Sequence, residues 1–369
     1  MIKIIISGGG TGGHIFPAIA IANAIKAKDT SADILFVGAR GRMEMEKVPS
    51  AGYPIEGLWI SGLQRRLTLK NLAFPFKVIA SLAKASNIIS SFKPDVVIGV
   101  GGYASGPTLR VAVRKKIPTL IQEQNSYPGI TNKLLANKVK KICVAYDGME
   151  KFFPAYKLLL TGNPVRQDIL STGGKKEEGI GYFGLKHDKT TILVIGGSLG
   201  AGTINESILN CIRHDLTGKG VQLIWQTGKY YFDRIKEIGD VTGNADVHVM
   251  PFIDRMDLAF ACADIVISRA GAIAISELCI VGKPVILIPS PNVTEDHQTK
   301  NAQALESKEA AIMVRDKEAV EQLFTTLTRL INNESLQNTL RQNIVRLAIP
   351  DAADKIADEV LKLINHKPS

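Results

Sequence analysis

His14 closes a glycine run, Gly8-Gly9-Gly10-Thr11-Gly12-Gly13, that directly follows the apolar stretch Ile2 to Ile6. An imidazole in that place can take a proton from a bound substrate near neutral pH. The glycines let the backbone come close to a ligand. A helix from Ile15 to Lys26 is predicted next, with Pro17 in its first turn, where proline is tolerated. Its start would offer unpaired N–H donors and a partial positive charge. The competing reading of His14 is a structural cap for its own loop.

The same construction recurs. Thr191 to Ile195 is a short apolar run, Gly196-Gly197-Ser198-Leu199-Gly200-Ala201-Gly202 follows, and Ile204 to Ile212 reads as a helix. A third glycine loop, Gly99-Val100-Gly101-Gly102-Tyr103-Ala104-Ser105-Gly106-Pro107, follows Asp95 to Ile98. Loops that all follow strands should line up at one edge of their sheets, where clustered backbone donors suit a pyrophosphate. Ser268-Arg269-Ala270-Gly271-Ala272-Ile273-Ala274 again opens a helix after an apolar run, with Glu277 inside it. That carboxylate reads either as a solvated or dipole-pairing group or as a bidentate acceptor for ribose hydroxyls. In the polar stretch Pro289 to Ala302, His297 and Asn301 share a helix face if the helix has begun, whereas Asp296 and His297 could instead cap it.

Gly8-x-Gly10-x-x-Gly13 also satisfies a dinucleotide fingerprint, which alone is weak. The acidic residue expected to hold a ribose after the second strand is missing. Phe36-Val37-Gly38-Ala39-Arg40 stands there, and only an NADP form using Arg40 keeps an oxidoreductase reading alive. No Asp-x-Asp occurs in the chain, which argues against sugar transferases that hold a metal through paired carboxylates.

Positioning these loops requires alternating strands and helices. Strand-like segments fall at 2–6, 33–37, 95–99, 118–121 and 141–145, then at 191–195, 221–225, 246–250, 264–267 and 284–288. Such alternation predicts parallel sheets covered by helices. With 369 residues and two strand–glycine–helix units half a chain apart, the reading is an α/β chain of two Rossmann-like domains. Asn163-Pro164-Val165 is the expected hinge. The domains are placed at 1–163 and 164–344, with a C-terminal helix within 345–369 packing back onto the first. Residues 171–181, rich in Gly and Lys, are expected to form a mobile loop.

A hydrophobic fraction of 45% fits a globular chain, and no apolar run approaches the roughly 20 residues that span a bilayer. The N-terminus starts as a strand rather than as a secretory signal. Four scattered cysteines without a Cys-x-x-Cys spacing predict reduced, mostly buried thiols and no zinc or iron–sulfur site. Residues 1–163 hold 22 Lys and Arg against 9 Asp and Glu, whereas 164–369 hold 23 against 26. The basic excess therefore lies in the first half, which favours an anionic partner: nucleic acid, a membrane surface or an anionic substrate.

Seven segments together resemble the MurG family of UDP-N-acetylglucosamine:undecaprenyl-pyrophosphoryl-muramyl-pentapeptide N-acetylglucosaminyltransferases. They are 9–18, 101–107, Glu123-Gln124-Asn125, Gly162-Asn163-Pro164-Val165-Arg166, Gly196-Gly197-Ser198, Ser268-Arg269-Ala270-Gly271-Ala272 and Asp296-His297-Gln298, in order and at comparable spacing. The resemblance implies a GT-B glycosyltransferase, with two Rossmann-like domains facing across a cleft. It implies inverting transfer of N-acetylglucosamine from UDP to the muramyl 4-hydroxyl of lipid I, giving lipid II for the cell wall, without cofactor or metal. The alternatives are another GT-B UDP-sugar enzyme, either a glycolipid glycosyltransferase or a UDP-N-acetylglucosamine epimerase.

Carried over by position, the resemblance makes His14 the base with Glu123 as helper. It places Thr11, Gly12, Gly13 and Asn125 at the donor's diphosphate and sugar, and Arg166 and Ser198 at the nucleotide or its phosphates. It puts the backbone of Ile253 on uracil, Glu277 on the ribose, Ala272, Ile273 and Ala274 around the phosphates, and Gln298 and Asn301 on the sugar. Gly102, Tyr103 and Ser105 form an acceptor or pyrophosphate loop. Two positions depart from the family: Leu199 where Gln is frequent and Ala274 where Thr is frequent, so no hydroxyl from 274 can reach a phosphate.

Arg65, Arg66, Lys70 and Lys77, interleaved with apolar residues including Phe74 and Phe76, read as an amphipathic patch for an anionic membrane surface; a solvated helix packed on the core is the bland alternative. The expected location is peripheral, on the cytoplasmic side of the plasma membrane. Lipid I and UDP-N-acetylglucosamine are the expected small partners, the cell-wall and division machinery the expected protein ones, and nucleic acid is not expected.

Overall fold

Ile4, Ile5 and Ile6 are wholly buried in the first strand, β1 (Lys3–Ser7), because a strand covered by helices on both faces needs apolar side chains at consecutive positions. The structure, a computed structural model, describes residues 1–61, 74–197, 199–293 and 296–365. It divides into two compact units: Met1–Val165 with Ile349–Ser369, and Arg166–Ala348.

In the first unit β1 is joined by β2 (Asp33–Ala39), β3 (Ile55–Leu58), β4 (Val96–Gly99), β5 (Thr119–Glu123), β6 (Lys141–Val144) and β7 (Leu158–Leu160). The sheet is parallel throughout, in the order β3-β2-β1-β4-β5-β6-β7. Helices α1 (Gly12–Lys28) and α2 (Glu44–Ser50) cover one face. Helices α3 (Phe74–Phe92), α4 (Ser105–Arg114) and α5 (Ile130–Leu135) cover the other.

The second unit repeats the plan. Strands β8 (Thr190–Ile195), β9 (Val221–Gln226), β10 (Val247–Met250), β11 (Ile265–Ser268), β12 (Val285–Leu287) and β13 (Ile312–Met313) form a parallel sheet ordered β10-β9-β8-β11-β12-β13. Around it lie α6 (Lys176–Phe183), α7 (Gly202–Arg213), α8 (Lys229–Lys236), α9 (Met256–Cys262), α10 (Ala272–Val281), α11 (His297–Glu306), α12 (Ala319–Ile331) and α13 (Glu334–Val345). The last helix, α14 (Ala352–Asn365), belongs to the first unit. Its Ile356, Ala357 and Val360 share a core with Ile21 and Ile25 of α1.

In each sheet the order of strands reverses beside the first strand, between β1 and β4 and between β8 and β11. Such switch points open a crevice at the carboxyl ends of the strands. The ten strand segments read from the sequence are all present. Three strands it missed, β3, β7 and β13, lie at sheet edges, where short strands carry a weak apolar signature. Residues 171–181 are not simply a loop. Helix α6 covers most of that stretch, with Glu177 and Glu178 in its first turn, buried Ile180 and Phe183, and left-handed Gly184 at its end.

Candidate active-site loops of the two units

Ser7 at the end of β1 is in register with Val37 of β2 and Gly99 of β4, so the loops after β1 and β4 leave the sheet at one level. They then pack backbone on backbone. Gly102 has φ +84°, and a Cβ there would run into the Gly9 carbonyl. Only glycine meets both demands. Gly101, at φ +92°, lies against the His14 ring, where a Cβ would sit 2.7 Å from Cδ2. The Ser105 hydroxyl donates to the Gly102 carbonyl at 2.9 Å and closes the turn into α4, while Tyr103 stands half exposed at the tip.

His14 lies in the first turn of α1, after Thr11, Gly12 and Gly13. Its Nδ1 is 3.1 Å from the Gly9 carbonyl and 3.2 Å from Thr11 Oγ1. A carbonyl can only accept, so Nδ1 carries the hydrogen and the neutral ring keeps its lone pair on Nε2. The cap and base readings are thus compatible, because the cap uses Nδ1 and a base would act through the other ring nitrogen.

Glu123, buried at the end of β5, is enclosed by donors. Its Oε1 accepts from the Asn125 N–H (3.0 Å) and Asn125 Nδ2 (3.2 Å), and its Oε2 from the Gly129 N–H (3.1 Å) and Asn132 Nδ2 (2.8 Å). The carboxylate fixes Asn125 and the following turn. Beside it, the Gln122 amide donates to Asn163 Oδ1 (2.8 Å), and Asn163 Nδ2 donates to the Gln124 carbonyl (3.0 Å).

In the second unit, Ile195 is in register with Gln226 and Ser268, so three loops leave the sheet together. Gln226, which the sequence reading missed, ties the loop after β8 to the loop after β10: its Nε2 donates to the Gly197 carbonyl (3.0 Å) and its Oε1 accepts the Ile253 N–H (2.9 Å). A polar residue closing the buried run Leu223-Ile224-Trp225 was the available signal. The Ile253 N–H is therefore engaged within the protein. Ser198 lies outside the described residues, and Leu199 beside it is 82% exposed.

Helix α10 begins at Ala272 after Gly271, with Ala272, Ile273 and Ala274 in its first turn. Asn301 on α11, wholly buried, donates to the Ala270 carbonyl at 3.4 Å and steadies that turn. Gln298 Oε1 accepts the Ser290 N–H at 2.9 Å. Glu277 lies one turn along α10 with its side chain 12% exposed, and Arg166 Nε donates to its Oε1 at 3.0 Å. Burial pushes the Glu277 carboxyl above the ordinary carboxylate range, and Arg166 partly opposes this. The sequence reading placed the two side chains on different parts of a nucleotide and gave no sign that they pair.

The chain matches the glycosyltransferase family 28 N-terminal domain over residues 4–144 and the C-terminal domain of that family over 191–356. It is 56% identical over 367 residues to the UDP-N-acetylglucosamine–N-acetylmuramyl-(pentapeptide) pyrophosphoryl-undecaprenol N-acetylglucosamine transferase of Flavobacterium psychrophilum, covering 100% of this chain and 99% of that one. The chain belongs to the MurG family. It is an N-acetylglucosaminyltransferase of the GT-B fold. A crystal structure of MurG from Acinetobacter baumannii shares 29% identity and a TM-score of 0.78, covering 98% of this chain and 100% of that one. A UDP-GlcNAc 2-epimerase from Neisseria meningitidis aligns with a TM-score of 0.68 over 98% of this chain and 100% of that one, but at 16% identity, a likeness of fold alone. MurG membership therefore decides against the epimerase alternative.

Proposed function

We infer that this chain moves N-acetylglucosamine, with inversion, from UDP to the muramyl 4-hydroxyl of lipid I, giving lipid II on the cytoplasmic face of the plasma membrane. The full-length relation to the Flavobacterium enzyme supports the reaction. The His14 tautomer carries the mechanism. With Nδ1–H held by Gly9, Nε2 is the nitrogen that takes the 4-hydroxyl proton as that oxygen attacks the donor's C1. The bond from C1 to the β-phosphate oxygen breaks on the opposite side, and the electron pair leaves with UDP. The imidazolium then returns its proton to water.

The departing pyrophosphate needs positive potential. We assign this to the first-turn N–H groups of α10 at Ala272, Ile273 and Ala274 and to the guanidinium nitrogens of Arg166 other than Nε. Position 274 lacks a hydroxyl, so the backbone does this work without it. Glu277 holds the ribose. With its N–H on Gln226, Ile253 meets uracil through its carbonyl. Gln298 and Asn301 are assigned to the sugar and Ser198 to the phosphates; Thr11, Gly12, Gly13 and Asn125 are assigned to the donor's diphosphate and sugar. Gly102, Tyr103 and Ser105 serve the acceptor's pyrophosphate. Glu123 acts by holding Asn125 rather than as a second base, because four donors already occupy its oxygens.

Membrane docking rests on the basic first half and on exposed apolar side chains. Phe76 and Ile79 on α3 are 69% and 66% exposed, and Ile130 and Leu134 on α5 are 65% and 71% exposed. Helices α3 and α5 cover the same face of the sheet. Lys77 donates to Ser61 Oγ at 3.0 Å and lies over the Trp59 ring. Phe74 opens α3, while Arg65, Arg66 and Lys70 lie outside the described residues. Among the described residues no helix is long and apolar enough to cross a membrane.

The test uses purified protein and a short-chain lipid I analogue. UDP release should require the acceptor and survive a chelator. His14→Ala should lower kcat by roughly 10²–10⁴ with UDP affinity retained. UDP release without acceptor would contradict the reaction, and a loss below about tenfold would place the base elsewhere.

A further inference from the structure

We propose that Glu44 is a positioning residue for the transfer reaction and acts on His14 through the Gly9–Gly10 peptide group. The proposal rests on the reading of His14 as the base. Glu44 opens α2 and is 1% exposed, although nothing in its sequence surroundings marks it as functional. Its Oε2 accepts the Gly10 N–H and its Oε1 accepts the Ala39 N–H, each at 3.0 Å. The Gly10 nitrogen and the Gly9 carbonyl belong to one peptide unit. That carbonyl accepts from His14 Nδ1 at 3.1 Å. A chain therefore runs from carboxylate to peptide to imidazole.

Two glycines make room for it. A Cβ on Gly9 would collide with the Glu44 carboxylate, and a Cβ on Gly38 would come 2.6 Å from Glu44 Cγ. The carboxylate stands where ladder bonding between β1 and β2 ends, because the chain turns away at Gly8 and leaves the Ala39 N–H without a strand partner.

Hydrogen bonds in series polarise one another. A carboxylate pulling on the Gly10 N–H makes the Gly9 carbonyl a stronger acceptor, which holds the Nδ1–H tautomer and steadies the imidazolium formed when Nε2 takes a proton. A carboxylate bonded directly to an imidazole does the same in hydrolase triads. Here one peptide group intervenes. Among the described residues, other titratable or charged groups on the neighbouring segments are Arg40, Arg42 and Glu46 around the start of α2, Tyr103 in the β4–α4 loop and Glu123 at the end of β5. Glu123 is committed to its own four donors and Arg40 Nε donates to the Gly57 carbonyl, whereas the Gly10 N–H goes to Glu44.

A merely structural Glu44 would satisfy two buried N–H groups and nothing more, so stability alone would fall on its removal. The discriminating variant is Glu44→Gln, which keeps the shape, removes the charge and turns an amide N–H₂ toward one of the two donors. Nitrogen-15 NMR of the histidine rings, with His14→Asn to assign the signal, reads both tautomer and titration. Wild type should show Nδ1 protonated in neutral His14. Glu44→Gln should lower the His14 midpoint by roughly half a unit to one unit, and the acidic limb of the kcat profile should move down with it. At neutral pH kcat should fall about tenfold, while KM for UDP-N-acetylglucosamine holds.

An unchanged midpoint and pH profile in a folded Glu44→Gln protein would overturn the proposal. So would an Nε2-protonated His14 in wild type, a result that needs no variant to fold. A shifted midpoint with an unmoved kcat profile would instead overturn the reading of His14 as base, and the catalytic role of Glu44 with it.

Discussion

Glu277→Gln is the sharpest probe of the donor half of the site. The substitution keeps volume, and its amide oxygen can still accept from Arg166 Nε, so the pair's geometry persists. Arg166 is 37% exposed and gains water readily if the bond weakens, whereas Glu277 at 12% does not. The loss therefore falls on the ligand. A carboxylate accepting ribose hydroxyls contributes about 1.5–3 kcal/mol, so donor affinity should drop about 10- to 150-fold near neutral pH. The pH dependence follows from the same burial. The ionised carboxylate is the form that accepts both hydroxyls. Burial raises the Glu277 pKa, so wild-type affinity should fail as pH drops through a value above the ordinary carboxylate range. Glu277→Gln should flatten that limb. Arg166→Ala should move it further up, because the main opposing influence is removed. Calorimetric titration with UDP across a pH series measures all three proteins, and 2′-deoxy-UDP should bind wild type poorly yet separate little between wild type and Glu277→Gln. Equal affinity of Glu277→Gln and wild type near neutral pH would refute the ribose assignment. A surviving acidic limb in Glu277→Gln would refute its attribution to this carboxyl.

Two further outcomes follow from the first unit. Gly101→Ala should cost about 1–3 kcal/mol of stability, since φ is +92° and the new Cβ presses on His14, and kcat should fall more than UDP affinity does; thermal melts and steady-state kinetics check it against Gly173→Ala, where nothing lies within 4 Å. Phe76→Ser with Ile79→Ser should loosen binding to anionic vesicles in a salt-insensitive way, while each lysine near the surface adds about 1 kcal/mol that salt weakens. Activity on a soluble acceptor should persist, and vesicle binding equal to wild type would show that the docking surface lies elsewhere.

The parts of this fold written in the sequence are those set by local pattern. Continuous apolar runs such as Ile4 to Ile6 announce parallel strands, and glycines after them announce the loops, so the loop holding His14 and the start of α10 were legible. Edge strands such as Ile55–Leu58 were not, because an edge demands less burial and Glu56 interrupts the run. Long-range polar pairing was invisible as well. Arg166 and Glu277 lie 111 residues apart, and no spacing rule joins them. Glu123 reads as a free carboxylate in sequence because its donors come partly from a turn whose course the motif does not specify. Glu44 was hidden differently: its donors are backbone N–H groups, which every residue except proline supplies.

The position of α14 bears on how the chain reaches its final form during synthesis. The first unit's core contains Ile356, Ala357 and Val360, so that core stays open on the α1 side after Val165 has emerged. At about 5–20 residues per second, the remaining segment takes roughly 10–40 s to be made. Throughout that interval Ile21 and Ile25 lack their closing partners, while the second unit, contiguous from Arg166 to Ala348, has its whole sequence before α14 is made. The unit that starts first is thus completed last, and a chain that stops at Ala348 should present the uncovered face of α1 to chaperones and proteases even though every glycine loop and His14 have been made.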